Sequence, residues 1–440
     1  MRILFVLLLL LMPLAARAQD DRDILTRFLE DNLSDAGRTV TVTGFRGALS
    51  SRASVERLTI ADDAGVWLTL TNVVLDWNRS AVLRGRIEVE ELTADEVILD
   101  RLPQGAGGDL PSPEARGFAL PDLPVGVAIG RIAAGRVTLG PDVLGQPVAG
   151  TLSASLSLSG GEGQGQLSIE RQDDGPDGQV ALNASYSNAS GQLVLSLDAT
   201  EGAGGIAATL LGIPGAPALR LVVEGAGPLS SFVARTRLDT DGTARLTGQV
   251  TLSEPEPGTR AFAVDLGGDL APLFLPAYAD FFGPSVRLVA AGTRAASGRL
   301  DLSRLAVTAR SLTLDGSLVL AADGLPERAD LTGRLADPDG GPVLLPFAQD
   351  SPTRVQAADL SLSFDASQGE GWQVAAEVTG VARPDAAIDR LSLGGSGRIT
   401  RDSQIPVEGA FTYAAEGLAP ADPALAAALG ARIAGQAEAA

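Results

Sequence analysis

Apolar and polar residues alternate over long stretches of this chain, and this alternation restricts its fold more than any other feature. Between Val66 and Leu92 apolar residues recur at nearly every second position, with few of the turn residues that close a hairpin. Successive side chains of a strand point to opposite faces, so such a stretch has one apolar and one polar face. The pattern recurs after Thr39 in roughly twenty to twenty-five segments separated by Gly, Asp and Pro. It predicts a mainly β protein.

At Asn72, and again at Glu90 and Glu91, the alternation of apolar and polar residues shifts by one position, which is called here a change of parity. One sequence form marks further changes: an apolar residue, a polar residue, Arg, Leu, any residue and an apolar residue, at 55–60, 302–307 and 388–393. A one-residue slip turns the apolar set to the other face unless a bulge or bend absorbs it. These shifts predict long strands that bend at intervals and keep one apolar face. Ordinary bulges in a β-sandwich are the alternative.

Composition excludes most familiar chemistry. The 440 residues include no Cys, no His and no Lys, so thiolate, imidazole and Walker-type lysine chemistry are absent. The formal charge of −20 repels nucleic acid. We therefore predict a protein that is not an enzyme and has no cofactor, no metal and no nucleic-acid partner. A hydrolase that uses a pair of carboxylates is an alternative.

Two Asp-rich segments, at 173–178 and 337–340, contain oxygen ligands suited to calcium. They lack the regular ligand spacing of an EF-hand or a nonapeptide repeat. Asp and Gly are typical of tight turns, so β-turns are the preferred interpretation of both segments.

The N-terminus has the form of an export signal. Arg2 precedes the apolar run 3–12, and Ala16-Arg17-Ala18 has the small-residue pattern of a signal-peptidase site. The run is shorter than the ~20 residues that span a bilayer. Residues 1–18 are therefore predicted to be a signal peptide cleaved after Ala18, with an inner-membrane anchor as the alternative.

The rest of the chain is predicted to contain five parts. They are an amphipathic helix at 19–38, a first β module at 39–102, a Pro/Gly-rich linker at 103–124, a repeated β-groove region at 125–419 and an Ala-rich helical end at 420–440, after which the protein is expected to continue. The aromatic-rich segment 270–283 has helical spacing and is predicted to plug a local core, with a lid or a lipid contact as alternatives.

The first part of the chain resembles the N-terminal part of the TamB family, the AsmA-like inner-membrane subunits of the translocation and assembly module in Gram-negative envelopes. The matching residues are Gly44-Phe45, Gly47-Ala48-Leu49, Trp67, Asp76-Trp77 and the series Leu83, Gly85, Ile87, Val89 and Leu92. The match is strongest over about residues 20–102, and the later segments 298–318 and 391–400 are similar to the family's later repeats.

The resemblance implies a long, curved β-sheet that forms an elongated open groove with an apolar interior. It implies phospholipid transfer between the inner and outer membranes, and support of outer-membrane protein assembly and secretion. The implied partner is an outer-membrane barrel protein of the TamA type, bound through a region C-terminal to this sequence. The implied location is the periplasm, with a tether to the inner membrane through residues 1–18 unless they are cleaved.

The residues themselves suggest how such a groove would hold phospholipid acyl chains. Each CH₂ group buried against an apolar wall contributes about 0.8 kcal/mol, so a uniform wall holds an acyl chain without a deep free-energy minimum at any one position. The alternative function is a periplasmic structural or adhesive β-repeat protein whose apolar face is a closed core. The candidate groove residues are Val66, Leu68, Leu70, Val73, Leu75, Ile87, Val89, Leu300, Leu302, Leu312 and Leu314.

Overall fold

The computed structural model describes residues 39–47, 52–103, 119–121, 123, 125–346, 351–369, 371–399 and 407–439. Strands make up 66% of these residues and helices 9%, and the strands belong to a mixed sheet that does not close. The prediction of a mainly β protein with an open sheet is therefore confirmed. The predicted signal or anchor at 1–18 and the predicted helix at 19–38 lie outside the described residues.

The described chain divides after Leu210 into two compact units, here called the N-terminal sheet and the C-terminal sheet. The N-terminal sheet contains β1 (Thr39–Thr43), β2 (Arg46–Gly47), β3 (Arg52–Asp62), β4 (Gly65–Asn78), β5 (Arg86–Leu99), β6 (Gly126–Leu139), β7 (Val148–Ser159), β8 (Glu162–Arg171), β9 (Gly178–Ser187) and β10 (Gln192–Glu201). Short helices at Arg79–Val82, Pro141–Leu144 and Ile206–Leu210 follow β4, β6 and β10.

Strands β1 and β2 both pair with β3, and from β3 to β10 each strand pairs with the next. All of these pairs are antiparallel except β5 with β6, which is parallel. Parallel neighbours require a crossover connection, and residues 100–125 supply it. The predicted linker at 103–124 therefore connects two neighbouring strands of the N-terminal sheet, because β6 pairs with β5. The division after Leu210 was not predicted from the sequence.

Within the described residues the C-terminal sheet contains sixteen strands, three of which are two-residue segments. Its strands are β11 (Leu219–Pro228), β12 (Ser231–Thr240), β13 (Thr243–Glu256), β14 (Thr259–Gly268), β15 (Val286–Ala295), β16 (Leu300–Thr308), β17 (Leu312–Leu320), β18 (Pro326–Ala336), β19 (Val343–Leu344), β20 (Arg354–Val355), β21 (Ala357–Asp365), β22 (Gly371–Ala382), β23 (Ala386–Ile399), β24 (Val407–Glu416), β25 (Ala419–Pro420) and β26 (Arg432–Ala439).

The long strands of this sheet pair in chain order, and every pair is antiparallel. The short hairpin β19 and β20 is inserted between β18 and β21. Helices lie at Ala279–Phe282 and Pro423–Leu429, and 3₁₀ turns lie at Ala271–Leu273, Pro276–Tyr278 and Ala366–Gln368.

The Ala-rich end differs in part from its predicted helical structure. The helix is limited to Pro423–Leu429, where Asp422 caps the backbone N–H groups of Ala424 and Leu425. Residues 432–439 form β26 instead, so the helical prediction is wrong there. The pairing of β26 with β24 outweighs the helix propensity of alanine.

The predicted changes of parity coincide with irregularities of the strand ladders. Between β3 and β4 the paired residues change from Val55 and Val73 to Arg57 and Thr71, so both strands carry one extra residue. Asn72 is the extra residue of β4, and its φ of 50° lies in the left-handed region. The register shifts between Leu302 and Leu305 in β16, and the ladder of β22 and β23 skips Gly380 and Asp389. Bends therefore restore the apolar set to one face, as predicted.

Candidate functional site

Strand register aligns apolar residues into rows that cross the N-terminal sheet. Residues directly opposite in a ladder point to the same face. One row follows the pairing from β3 to β10 without a polar side chain: Ala53, Leu75, Leu92, Ile132, Ala154, Leu167, Leu182 and Leu197. The next row contains Trp77, Val89, Ile129, Leu156, Gly165, Ala184 and Leu195. These rows define the N-terminal apolar face.

The C-terminal sheet has a longer row of the same kind. From β11 to β26 the opposed residues are Gly225, Ala234, Val250, Val264, Ala290, Leu305, Gly316, Leu331, Leu362, Val374, Gly395, Phe411 and Ala437. A parallel row includes Leu266, Leu288, Val307, Leu314, Gly333, Leu360, Ala376, Leu393 and Tyr413. These rows define the C-terminal apolar face, which extends for about 58 Å at ~4.8 Å per strand.

The opposite face of each sheet is polar. In the N-terminal sheet one such row contains Ser155, Gln166, Asn183 and Ser196. In the C-terminal sheet a row begins with Glu224, Arg235, Gln249 and Asp265. Here Arg287 pairs with Asp265 at 2.7 Å. Charge and hydrogen-bonding capacity are therefore concentrated on one face, and the other face is left almost uniformly apolar.

The apolar faces are not sealed in the described part of the chain. No large side chain there is completely buried. On the N-terminal apolar face Leu156 remains 46% exposed, and on the C-terminal apolar face Leu393 and Phe411 each remain 43% exposed. A closed core of this size would bury several such side chains fully. Apolar side chains on both faces are therefore partly exposed to solvent.

Three aromatic residues lie over glycines on the last strands of the C-terminal apolar face. A Cβ atom at Gly397 or Gly409 would overlap the ring of Trp372, one at Gly395 would meet Phe411, and one at Gly435 would overlap Tyr413. The rings of Trp372 and Phe411 lie 5.5 Å apart between centroids and are tilted by 40°. Glycine thus leaves room for each ring to lie against the sheet, which produces an aromatic surface.

One edge of the C-terminal apolar face is covered by a local core. Phe281 is buried with Val343 and Val355, and Leu312, Leu335 and Val378 pack against this cluster. Phe274 stacks on Phe282 with 4.0 Å between ring centroids. The prediction that segment 270–283 plugs a local core is confirmed for Phe281 and Phe282, whereas Phe274 and Leu275 remain exposed and the α-helix is limited to Ala279–Phe282. Leu312 therefore contacts this plug, whereas the row through Leu360 and Leu393 has exposed side chains.

The structure places ten of the eleven candidate groove residues on an apolar face. Leu68, Leu70, Val73, Leu75, Ile87 and Val89 lie on the N-terminal apolar face, and Leu300, Leu302, Leu312 and Leu314 lie on the C-terminal one. The expectation for Val66 is wrong: the register shifts between Ile60 and Ala61, so Val66 lies opposite Ala61 and points away from the face of Leu68.

Sequence reasoning missed the aromatic surface of Trp372, Phe411 and Tyr413. These residues belong to β22 and β24, and their alignment depends on register, which alternation alone leaves open.

Cavities in the described residues lie on the polar faces. One of about 500 Å³ is lined by the neutral side chains of Ser155, Ser157, Gln164, Gln166, Asn183 and Ser185. Another, of about 520 Å³, is lined by charged residues that include Arg299, Asp301, Arg328 and Asp365. An apolar ligand would therefore lie along an apolar face and not inside one of these cavities.

The Asp-rich turn after β8 is held together by its own hydrogen bonds. Asp173 accepts hydrogen bonds from the backbone N–H groups of Ala149 and Gly175 and from Arg171. Partial burial would raise the pKa of Asp173, but these hydrogen bonds lower it below its usual value. Among the described residues no cluster of three acidic side chains is arranged to bind a metal ion.

Comparison with family models, with curated proteins and with solved structures finds no match to this chain. Within the described ranges no helix has the length and apolar character needed to cross a membrane. The apolar faces are therefore the features of this protein from which a function is inferred.

Proposed function

We propose that this chain is a non-enzymatic cell-envelope protein whose apolar faces carry phospholipid acyl chains between the inner and outer membranes. The observation that carries the proposal is the row from Gly225 to Ala437, in which every residue is apolar or glycine across the strands from β11 to β26. An acyl chain that lay along this row would contact no charged side chain of the row.

The physical basis is a nearly constant contact energy. Burial of each CH₂ group contributes about 0.8 kcal/mol wherever the chain lies on a uniform apolar surface. A step from one strand to the next exchanges one set of Leu, Val and Ala contacts for another. The free energy of the acyl chain then has no deep minimum along the face. The direction of its movement is set by a lipid gradient or by a partner. The headgroup stays in water because the face is open.

The proposal also includes the location and the partners implied by the TamB resemblance. The protein would act in the periplasm, tethered to the inner membrane through residues 1–18 unless they are cleaved. It would support outer-membrane protein assembly with a TamA-type barrel partner. The opposing hypothesis is a structural or adhesive β-repeat protein with a closed core, and the exposed Leu393 and Phe411 argue against it.

Tryptophan fluorescence provides a test with an internal control. Trp77 lies on the N-terminal apolar face opposite Val89, and Trp372 lies on the C-terminal apolar face. The control is a tryptophan placed on the polar face by Gln166→Trp, since Gln166 is exposed there in the row with Asn183. Full-length chains that carry only one of these three tryptophans, with Phe at the other native tryptophan positions, report on one face at a time.

Phospholipids with brominated acyl chains quench tryptophan by contact. We expect them to quench Trp77 and Trp372 and to leave the tryptophan at position 166 largely unquenched, and unbrominated lipid to quench none of the three. Equal quenching of all three tryptophans would indicate nonspecific lipid binding. No quenching of Trp77 or Trp372 would refute the proposal and favour the closed core.

A further inference from the structure

The loop from Asn78 to Arg86, between β4 and β5, presents an unusually exposed apolar side chain. Leu83 is 82% exposed, the highest value among the large apolar residues of the described chain. A single exposed leucine needs no explanation, so Leu83 becomes informative only through its neighbours.

Those neighbours are positively charged. Arg79 and Arg84 are exposed, and neither forms an ion pair or side-chain hydrogen bond within the described ranges, whereas Arg86 pairs with Glu88 at 2.8 Å. The whole chain carries a formal charge of −20, so two uncompensated arginines beside an exposed leucine contrast with its general character. Arg is suited to phosphate because its planar guanidinium binds two oxygens at once.

The loop is also ordered locally. The Asn78 side chain accepts a hydrogen bond from the Ser80 backbone N–H at 3.1 Å and donates one to Glu88 at 3.1 Å. Ala81 is completely buried beneath it. Little conformational entropy would be lost when such a loop binds a surface.

The loop lies where the N-terminal apolar face ends. Trp77, one residue before Asn78, and Ile87, one residue after Arg86, both point to this face. A surface that contacted Leu83 would therefore be adjacent to the end of the apolar rows.

We propose that the loop 78–86 docks on the surface of an anionic phospholipid bilayer. Arg79 and Arg84 bind lipid phosphates, and Leu83 enters the hydrocarbon boundary. An apolar residue flanked by arginines lets a peripheral protein combine apolar burial in the bilayer with electrostatic attraction to lipid phosphates. The exposed Leu83 favours a bilayer over a nucleic acid as the source of phosphate, because only the bilayer offers a hydrocarbon boundary to an apolar side chain. Docking does not require that acyl chains bind the sheet, so this inference is independent of the proposed function.

The absence of native cysteine allows a local measurement on the full-length chain. Leu83→Cys carries an environment-sensitive fluorophore at the proposed contact. Leu102→Cys is the control, because Leu102 is 53% exposed at the opposite end of β5 and the neighbouring Arg101 is neutralised by Asp62. Each labelled chain is titrated with vesicles of phosphatidylcholine alone, or of phosphatidylcholine mixed with phosphatidylglycerol.

We expect a blue shift of the label at position 83 with the anionic vesicles, and no shift at position 102 or with phosphatidylcholine alone. Arg79→Gln and Arg84→Gln should each weaken binding about fivefold, and added salt should weaken it further. Arg334→Gln, which removes a positive charge already paired with Asp359, should have little effect.

No shift at position 83, or equal shifts at positions 83 and 102, would overturn the proposal. A shift that is the same with neutral vesicles would overturn the role of the arginines. If the label does not shift while brominated lipid still quenches Trp77 and Trp372, docking fails and the proposed function stands. The reverse result would refute the proposed function and leave docking intact.

Discussion

The side chain of Asn72 donates a hydrogen bond to Asp95 across β4 and β5, with 2.8 Å between Nδ2 and Oδ2. The contact lies where both strands change parity, because the apolar set is Leu70 and Val97 on one side of it and Val73 and Ala94 on the other. The bend is therefore shared by neighbouring strands, and the apolar face continues across it.

Asn72 is expected to be sensitive to side-chain shape. Its φ of 50° suits Gly or Asn and disfavours a β-branched residue. We expect Asn72→Val to lower the free energy of unfolding by about 1–2 kcal/mol and Asn72→Gly to have a smaller effect. Urea denaturation followed by circular dichroism measures both. Thr71→Val, in the same strand, is the control and should be nearly neutral; a loss as large as that of Asn72→Val would contradict the argument.

A charge on the C-terminal apolar face should abolish lipid binding without unfolding the sheet. Leu360 is 39% exposed on this face, and the adjacent Ser361 is exposed on the polar face. We expect Leu360→Asp to reduce the brominated-lipid quenching of Trp372, and Ser361→Asp to leave it unchanged. The melting temperatures of the two variants should be similar. Equal quenching in both variants would show that lipid does not lie along this row.

The aromatic surface should depend on the glycines beneath it. Alanine at Gly409 would overlap the Trp372 ring, whereas a Cβ at Gly371 has no neighbour closer than 3.7 Å. Gly409→Ala should displace the ring, shift its fluorescence and cost about 1–3 kcal/mol of stability. Gly371→Ala should change the emission of Trp372 very little. Unchanged emission in Gly409→Ala would mean that the glycine is not needed for ring placement.

Asp173 should make stability depend on acid pH. The pKa of Asp173 is lowered in the folded state from the ordinary 3.8, since its hydrogen bonds outweigh the effect of burial. Its stabilising contribution is therefore fully present above about pH 3.8 and is lost as the pH falls through the lower folded value. Asp173→Asn should be less stable than the parent by about 1–2 kcal/mol at neutral pH.

The difference in the free energy of unfolding between Asp173→Asn and the parent should become smaller at acid pH. Urea denaturation at a series of pH values measures it. Asp174→Asn, at an exposed neighbouring position, provides the matched control and should follow the parent. A constant difference between Asp173→Asn and the parent at every pH would show that the ionised carboxylate is not the source of the stabilisation.

Much of the fold follows from local pattern. The period of two predicts strands and one apolar face, and the repeated form at 55–60, 302–307 and 388–393 predicts where strands bend. Both predictions hold because side-chain direction in a strand depends only on the backbone of that strand and its bulges. The aromatic spacing of 270–283 likewise predicts a plug, but its partners Val343 and Val355 are distant in the chain and could not be predicted from that spacing.

Other features of the fold could not be predicted from local pattern, because they depend on pairing between distant strands. The alternating residues of β5 do not reveal that its next neighbour, β6, is parallel, and this pairing joins residues 39–102 to the strands that follow. Alanine at 432–439 favours a helix in isolation, but hydrogen bonds to β24 make it a strand.

The sequence by itself determined the strands, their two chemically different faces and the positions of their bends, because each depends on residues close together in the chain. The tertiary structure alone decided which residues align into the apolar rows, which glycines lie under Trp372 and Phe411, and which loop brings Leu83, Arg79 and Arg84 to the end of a face. Register and strand partnership depend on contacts between distant segments, and a period of two is equally compatible with many of them.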